Sequence, residues 1–310
     1  MTLTDASTPA IAGAAKLRHS WRGAKPWVPW VFLAIPLLFA LVFKFIPLIE
    51  GIRMSFSKVQ PLLGDQFTGF DNFARVLTDS RFHEAFLHTV ILAVCQTITA
   101  VALGLILALL FEGASRKLQI ARTVIFLPVV TAIAVIGEVW RLILQPTDSG
   151  LLNTILHWVG ISTQQMLSDE NSALFWVGLV GVWAAAPYNM LILLAGLVGI
   201  DRTLYEAAAV DGAGRWRRLY YIALPGLRAS LSVILTLAAI RSLRVFAEVF
   251  ILTGGGPAGS TEVWMTRIYS IGFDANDLGL ASAAALLLLL ATMILTVLAR
   301  WLTNRKGAQL

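Results

Sequence analysis

Apolar residues gather into six long stretches along this chain, and short segments that carry most of the charge separate them. The stretches cover about 27–49, 88–111, 123–144, 173–198, 226–252 and 278–302. A helix needs roughly 20 apolar residues to cross the hydrocarbon core, so each is long enough to span a bilayer. The second and fourth contain no Asp, Glu, Lys or Arg. The first holds Lys44, the third Glu138 and Arg141 near its end, and the sixth Arg300. The fifth carries Arg228, Arg241, Arg244 and Glu248. The pattern predicts an all-α, polytopic membrane protein with six transmembrane helices.

Composition agrees. Of 310 residues 57% are hydrophobic and 14% charged, and the mean hydropathy is +0.76. A soluble domain carries about 25% charged residues. The net charge of +6 would suggest nucleic acid in a soluble protein. Here the basic residues flank the spans, so no nucleic-acid partner is implied and membrane lipid is the surrounding medium.

Their distribution sets the orientation. With the N-terminus inside, fourteen of the 24 Lys and Arg residues fall on inner segments: Lys16, Arg18, Arg22, Lys25, Arg116, Lys117, Arg122, Arg202, Arg215, Arg217, Arg218, Arg300, Arg305 and Lys306. Five fall outside: Arg53, Lys58, Arg75, Arg81 and Arg267. The remainder lie within spans. Both termini are therefore expected in the cytoplasm, with a basic tail over 1–26, a transmembrane domain over 27–303 and a short tail over 304–310. The first stretch is too long for a cleavable signal and no small-x-small site follows it.

Ionisable groups inside spans usually face a cavity or a partner. On a continuous helix Arg241, Arg244 and Glu248 share one stripe, being three and four residues apart. Two readings stand: the stripe lines a path for a solute, or Arg244 and Glu248 form an internal ion pair with Arg241 held by a neighbour. Tyr188 and Asn189 follow Pro187, which frees a backbone carbonyl and makes polar ground in a membrane helix. Trp140, Trp183 and Tyr188 could stack on the apolar face of a ring-bearing solute or anchor span ends. Glu138 and Arg141 read as a structural pair. The lone cysteine, Cys95, reads as a small buried apolar residue. An amphipathic run from Phe70 to Phe86 suits one helix on the outer surface.

Several chemistries lack their residues. No Gly-x-x-x-x-Gly-Lys-Ser/Thr occurs, so the chain has no phosphate loop. His83-Glu84 and His88 are spaced one residue too long for a zinc-protease helix, and no metal is expected. No nucleophile elbow or triad is present, so the chain is read as a non-enzyme.

One polar segment stands apart. Glu206-Ala207-Ala208 is followed after three residues by Gly212, and nine further on by Ile222-Ala-Leu224-Pro225. Leu204, Tyr205, Ala207 and Ala208 give a short helix an apolar face; Arg202, Glu206 and Asp211 mark its wet side. Gly212 suits a helix stop, because glycine adopts left-handed torsions without steric cost. Every spacing resembles the EAA loop of bacterial ABC importer membrane subunits, here about 199–220. Further likeness runs from about Trp30 to Trp301. It includes Gly69-x-x-Asn72-Phe73, Arg122 through Pro128, Leu151-Leu152-Asn153, Gly160, Trp183, Leu194-Ala-Gly-Leu197 and Thr253-Gly254-Gly255-Gly256-Pro257 with Thr261. The chain is most similar to the carbohydrate-uptake branch, the MalF and UgpA type. Ala247 departs from that branch, where many relatives carry Asp; Glu248 follows it.

The resemblance implies a type I ABC importer permease fold in the bacterial cytoplasmic membrane. It implies a heterodimer with a second homologous permease, an ATPase dimer that holds ATP and Mg, and an extracytoplasmic solute-binding protein. Glu206, Ala207, Ala208, Asp211 and Gly212 would form the coupling helix docked in the ATPase. The Gly254–Pro257 loop would face the binding protein, unless it is a plain flexible loop. The implied activity is ATP-driven uptake of a di- or oligosaccharide or similar solute by alternating access. Glycerol phosphate or a glycerophosphodiester is the alternative, since arginine suits phosphate, although Glu248 on the stripe would neutralise one arginine. A secondary transporter or channel subunit is the alternative of another class; the inverted repeats common in such transporters are not seen.

Overall fold

The computed structural model describes residues 27–60 and 64–307. The basic tail expected over 1–26 lies outside the described residues. Two units divide the chain, one up to Glu50 and one from Gly51.

Helix α1, Val28–Ser55, begins in the first unit with proline in its first turn and contains a π turn at Leu41–Phe45. No residue from Val28 to Phe45 is buried; Phe32 and Phe43 are 75% and 72% exposed. Such a surface is compatible with lipid or another helix, not with water.

In the second unit, a two-stranded antiparallel ribbon pairs β1, Ser57–Lys58, with β2, Gln66–Phe67. Helix α2, Asp71–Thr78, and helix α3, Ser80–Leu110, follow. The single surface helix expected over Phe70 to Phe86 is not formed. The chain breaks at Asp79, which is extended at ψ 120° and caps α3 by accepting from Arg81 N–H. Asn72, 2% exposed, donates to the carbonyls of Ser55 (3.1 Å) and Ser57 (3.0 Å) and so ties α2 to the end of α1.

The third apolar stretch is two helices. α4, Arg116–Val130, and α5, Ile133–Ile143, meet at 100° across Thr131 and Ala132. Pro128 removes one N–H from the ladder, and both linking residues are extended. α6, Leu151–Trp158, leads to α7, Ala173–Val198, which has the expected bounds of the fourth stretch. Asn153, in the first turn of α6, is fully buried; its two amide hydrogens are shared among the carbonyls of Gln145, Thr147 and Gln164, and its oxygen accepts from Gln164 N–H, so it joins the segments on either side of α6. Replacing it by Ala leaves these groups without partners, and an unmet buried polar group costs about 1–3 kcal/mol. Asn153→Ala is therefore expected to lower the unfolding midpoint of the purified protein in detergent; an unchanged midpoint refutes this role.

The fifth stretch is broken twice. α8, Arg202–Val210, and α9, Arg215–Gly226, precede α10, Arg228–Ser242, with a 63° bend between α9 and α10. After residues 243–246 the chain re-enters a helix as α11, Ala247–Leu252. α12, Trp264–Tyr269, continues as a π turn through Asp274. α13, Leu278–Gly307, carries helix into the short tail expected over 304–310.

Among the described residues four helices are long and apolar enough to cross a membrane: α1, α3, α7 and Leu278–Leu298 within α13. Counting each bent pair, α4–α5 and α9–α10, as one span raises this to six. The second unit is organised on α3 and α7, which pack along much of their lengths. A Cβ at Gly104 would stand 2.7 Å from Asn189 Cβ and 3.0 Å from Met190 N, so glycine there sets the helix separation. One apolar cluster holds Val177 and Val180 of α7 with Val249 and Val263; another holds Met190, Leu193 and Leu197 with Ala108 and Leu227. Between these two levels α7 is polar, at Tyr188 and Asn189.

Candidate translocation cavity and coupling loop

A cavity of about 710 Å³ opens at that level. Its wall takes residues from α3, α4, α5, α7, α10 and α11. Tyr188, Asn189, Arg241, Arg244 and Glu248, named from sequence as path candidates, all line it. The reason they share a wall differs from the expected one. Arg241 lies in the last turn of α10, Arg244 lies in the break, and Glu248 sits in the first turn of α11. The straight stripe is therefore not formed. No ion pair among the described residues joins Arg244 to Glu248. Arg241 instead places its guanidinium over the Tyr188 ring, 4.8 Å from the centroid, a cation–π arrangement.

Gln96 and Thr97 of α3 also line the cavity, and sequence reasoning missed them. The available signal was two adjacent polar residues inside an uncharged span. The Gln96 amide lies where Gly181 of α7 has no side chain, with its Cδ 2.8 Å from the position of a Cβ. Its amide nitrogen has no hydrogen-bond partner among the described residues. Trp140 and Trp183 do not reach this cavity. They meet edge to face at 5.5 Å and line a separate apolar pocket of about 520 Å³ with Pro128 and Pro187. Cys95 is exposed, not buried. Glu138 and Arg141 pair at 3.0 Å on the surface, where such a pair contributes about 0–1 kcal/mol.

The segment expected to couple to an ATPase forms α8 and the turn after it. Asp201 caps α8: its carboxylate accepts from Thr203 N–H at 2.9 Å, which holds it below the usual carboxylate range. Gly212 ends the helix at φ +71°, with Ala213 N–H bonded back to Ala208 O at 2.8 Å. Arg218 holds the turn by donating to Ala213 O at 2.8 Å. Burial pushes the Tyr205 phenol pKa up, and Glu112 adds to the rise. The expected apolar face is only partly covered. Tyr205 and Ala208 are half-buried, whereas Leu204 and Ala207 are exposed beside Glu206, and α8 buries no residue fully. Trp216, Tyr220 and Tyr221 are 83%, 66% and 71% exposed nearby.

The Gly254–Pro257 loop is a hydrogen-bonded turn. Gly254 and Gly255 take φ +63° and +94°. The Thr253 and Thr261 hydroxyls meet at 2.7 Å, and Thr261 Oγ1 donates to Gly256 O at 2.7 Å. Arg267 braces the segment through Asp79 (3.2 Å) and Glu262 (3.7 Å). Burial pushes the Glu262 carboxyl pKa up, against the lowering by Arg267 and Arg81. His83 and His88 face the carbonyls of Leu77 and Glu262, at 2.9 and 3.0 Å. No cluster of three or more metal-ligating side chains occurs among the described residues.

Residues 87–307 match the family described as binding-protein-dependent transport system inner membrane component. The chain belongs to this family. It is 29% identical to the arabinooligosaccharides transport system permease protein AraP of Halalkalibacterium halodurans, over 91% of this chain and 90% of that one. It is 32% identical to the sn-glycerol-3-phosphate transport system permease protein UgpA of Escherichia coli, over 87% of this chain and 92% of that protein. A crystal structure of a bacterial ABC transporter involved in import of the acidic polysaccharide alginate has a chain of the same fold. The TM-score is 0.79 at 25% identity, over 90% of this permease and 96% of that chain. Another structure of the bacterial alginate transporter, 24% identical, was solved with its alginate pentasaccharide-bound periplasmic protein. This permease therefore has the type I ABC permease fold, and the family is one of transporter permeases, not enzymes. Family membership separates it from secondary transporters and channel subunits.

Proposed function

We propose that this permease is one membrane subunit of an ATP-driven importer for a sugar or sugar-like solute in the bacterial cytoplasmic membrane. It crosses six times, with each bent pair as one span and both termini in the cytoplasm. A second homologous permease, an ATPase dimer and an extracytoplasmic binding protein complete the assembly. The observation that carries the reading is the cavity halfway along α7, where the only polar level of that helix meets Arg241, Arg244 and Glu248. Its size and mixed wall suit a polyhydroxy solute with an apolar ring face. ATP and Mg act on the ATPase. Closure of that subunit moves α8, and the bundle alternates access to the cavity. The exposed Leu204, Trp216 and tyrosines beside Glu206 supply a surface for the ATPase to grip. The ordered Gly254–Pro257 turn faces the binding protein.

A second solute reading has its own support. The expected neutralisation of Arg244 by Glu248 is not formed, so the cavity offers guanidinium groups for a phosphate or carboxylate. Glycerol phosphate, a glycerophosphodiester or an acidic sugar fits that wall. One experiment separates the readings: co-purify the complex, isolate its binding protein, and titrate it with neutral disaccharides and with glycerophosphodiesters. Tight binding of a neutral disaccharide supports the sugar reading; exclusive binding of the phosphate compound replaces it.

A further inference from the structure

Four aromatic rings run from the cavity to an exposed turn. Phe246 lines the cavity wall and stacks on Phe250 one helical turn later, with centroids 5.1 Å apart. Phe250 meets Tyr269 of α12 at 4.9 Å, and Tyr269 stacks on Phe273 at 5.0 Å. Each helix contributes an i, i+4 pair, so two short aromatic stripes lie side by side. The row is open along its side at Phe250, 41% exposed, and at its far end at Phe273, 73% exposed. Exposed Asp274 and Asn276 follow Phe273, a polar setting that places this end in water.

We propose that Phe246, Phe250, Tyr269 and Phe273 form an aromatic rail that guides sugar rings from the aqueous mouth into the cavity. The inference rests on the sugar reading above and extends it to specific residues outside the polar wall. A pyranose has an apolar C–H face and a rim of hydroxyls. Stacked on an aromatic face it buries the C–H patch and leaves the hydroxyls wet. Passage requires sites attractive enough to enter and weak enough to leave; rings repeated at close spacing supply that. An aromatic anchor for the lipid interface would need no continuity with a polar cavity, and this row ends in one.

The test uses the complete importer, co-purified with its partners and reconstituted in liposomes, with radiolabelled maltotriose, arabinotriose and glycerol 3-phosphate as probes. Phe250→Leu and Phe273→Leu keep apolar bulk and remove the ring face. Each is expected to raise the KM for trisaccharide uptake roughly three- to tenfold, with kcat and ATP hydrolysis unchanged. Phe250→Tyr and Phe273→Tyr should restore the wild-type KM. An unchanged KM in the leucine variants overturns the rail, as does an equal rise in the tyrosine variants. Parallel loss of uptake and ATP hydrolysis also overturns it, because that reports assembly. Failure of the sugar reading is seen separately, in the wild type: uptake of glycerol 3-phosphate and of neither trisaccharide removes that reading and the rail with it.

Discussion

Glu206→Lys and Gly212→Asp are each expected to reduce solute uptake by about a hundredfold or more while the protein stays in the membrane at its normal level. The argument turns on what these residues do not do within their own chain. Glu206 is exposed and forms no ion pair among the described residues. Reversing its charge therefore disturbs little in the isolated permease. A Cβ at Gly212 meets nothing within 4 Å, although φ is +71°. Aspartate tolerates left-handed torsions better than most side chains, so the strain costs about 1 kcal/mol, the low end of the range for an L-residue there. A large loss of uptake must then come from the partner that receives the turn. Truncating one member of a buried, hydrogen-bonded charge pair at an interface costs about 2–5 kcal/mol, and reversal costs more. Reconstituted uptake and ATPase co-purification measure both halves. Normal uptake in either variant means that no ATPase grips this helix. A cysteine at Ala207, in a Cys95→Ser background because Cys95 is exposed, should react with impermeant reagent only from the cytoplasmic side.

Gly104→Leu is expected to abolish the folded protein. The Cβ added there lies 3.0 Å from Met190 N and 3.1 Å from Ala186 O as well as 2.7 Å from Asn189 Cβ. Two of these are backbone atoms of α7, which cannot move without parting α3 from α7. Overpacking costs about 1–3 kcal/mol for modest insertions, and a leucine adds four carbons at a backbone contact. Separation also opens the cluster around Met190 and Leu193 and distorts the cavity at Asn189. Total stabilities are about 5–15 kcal/mol, so this is a large share. Size-exclusion chromatography after solubilisation should show loss of the monodisperse peak. Ile106→Leu on the same helix, where Ile106 is 53% exposed, should leave that peak intact. A monodisperse Gly104→Leu protein would mean that the helices can separate at this crossing without penalty.

The candidate site was legible in part. Tyr188, Asn189, Arg241, Arg244 and Glu248 were visible because a polar residue in an apolar stretch is costly and stands out. Sequence leaves open whether Arg241, Arg244 and Glu248 line a path or pair internally, and the premise of both readings, a straight helix through 241–248, does not hold. The break at 243–246 re-aims Arg244 and keeps it from Glu248, and no periodicity encodes that. Gln96 and Thr97 stand out as adjacent polar residues in an uncharged span, but that Gln96 reaches the cavity depends on the space left by Gly181, on another helix. Pro128 marks the damaged turn in the third stretch, but the 100° bend comes from the extended backbone of Thr131 and Ala132, which neither residue type dictates.

Sequence alone determined the apolar stretches, the asymmetry of basic residues between loops, the turn at Gly212 and the family. These are local properties: span length, charge and glycine torsion act on the chain wherever it lies. Tertiary structure decided which apolar residues are core and which face outward. α1 buries none of its apolar window and α7 half, yet both read from sequence simply as apolar spans. In a bilayer the lipid-facing and core-facing positions are equally hydrophobic, so the contrast that orients a helix in water is missing. Only the packed bundle, with its glycine contacts and broken helices, assigns each face and leaves the polar cavity between them.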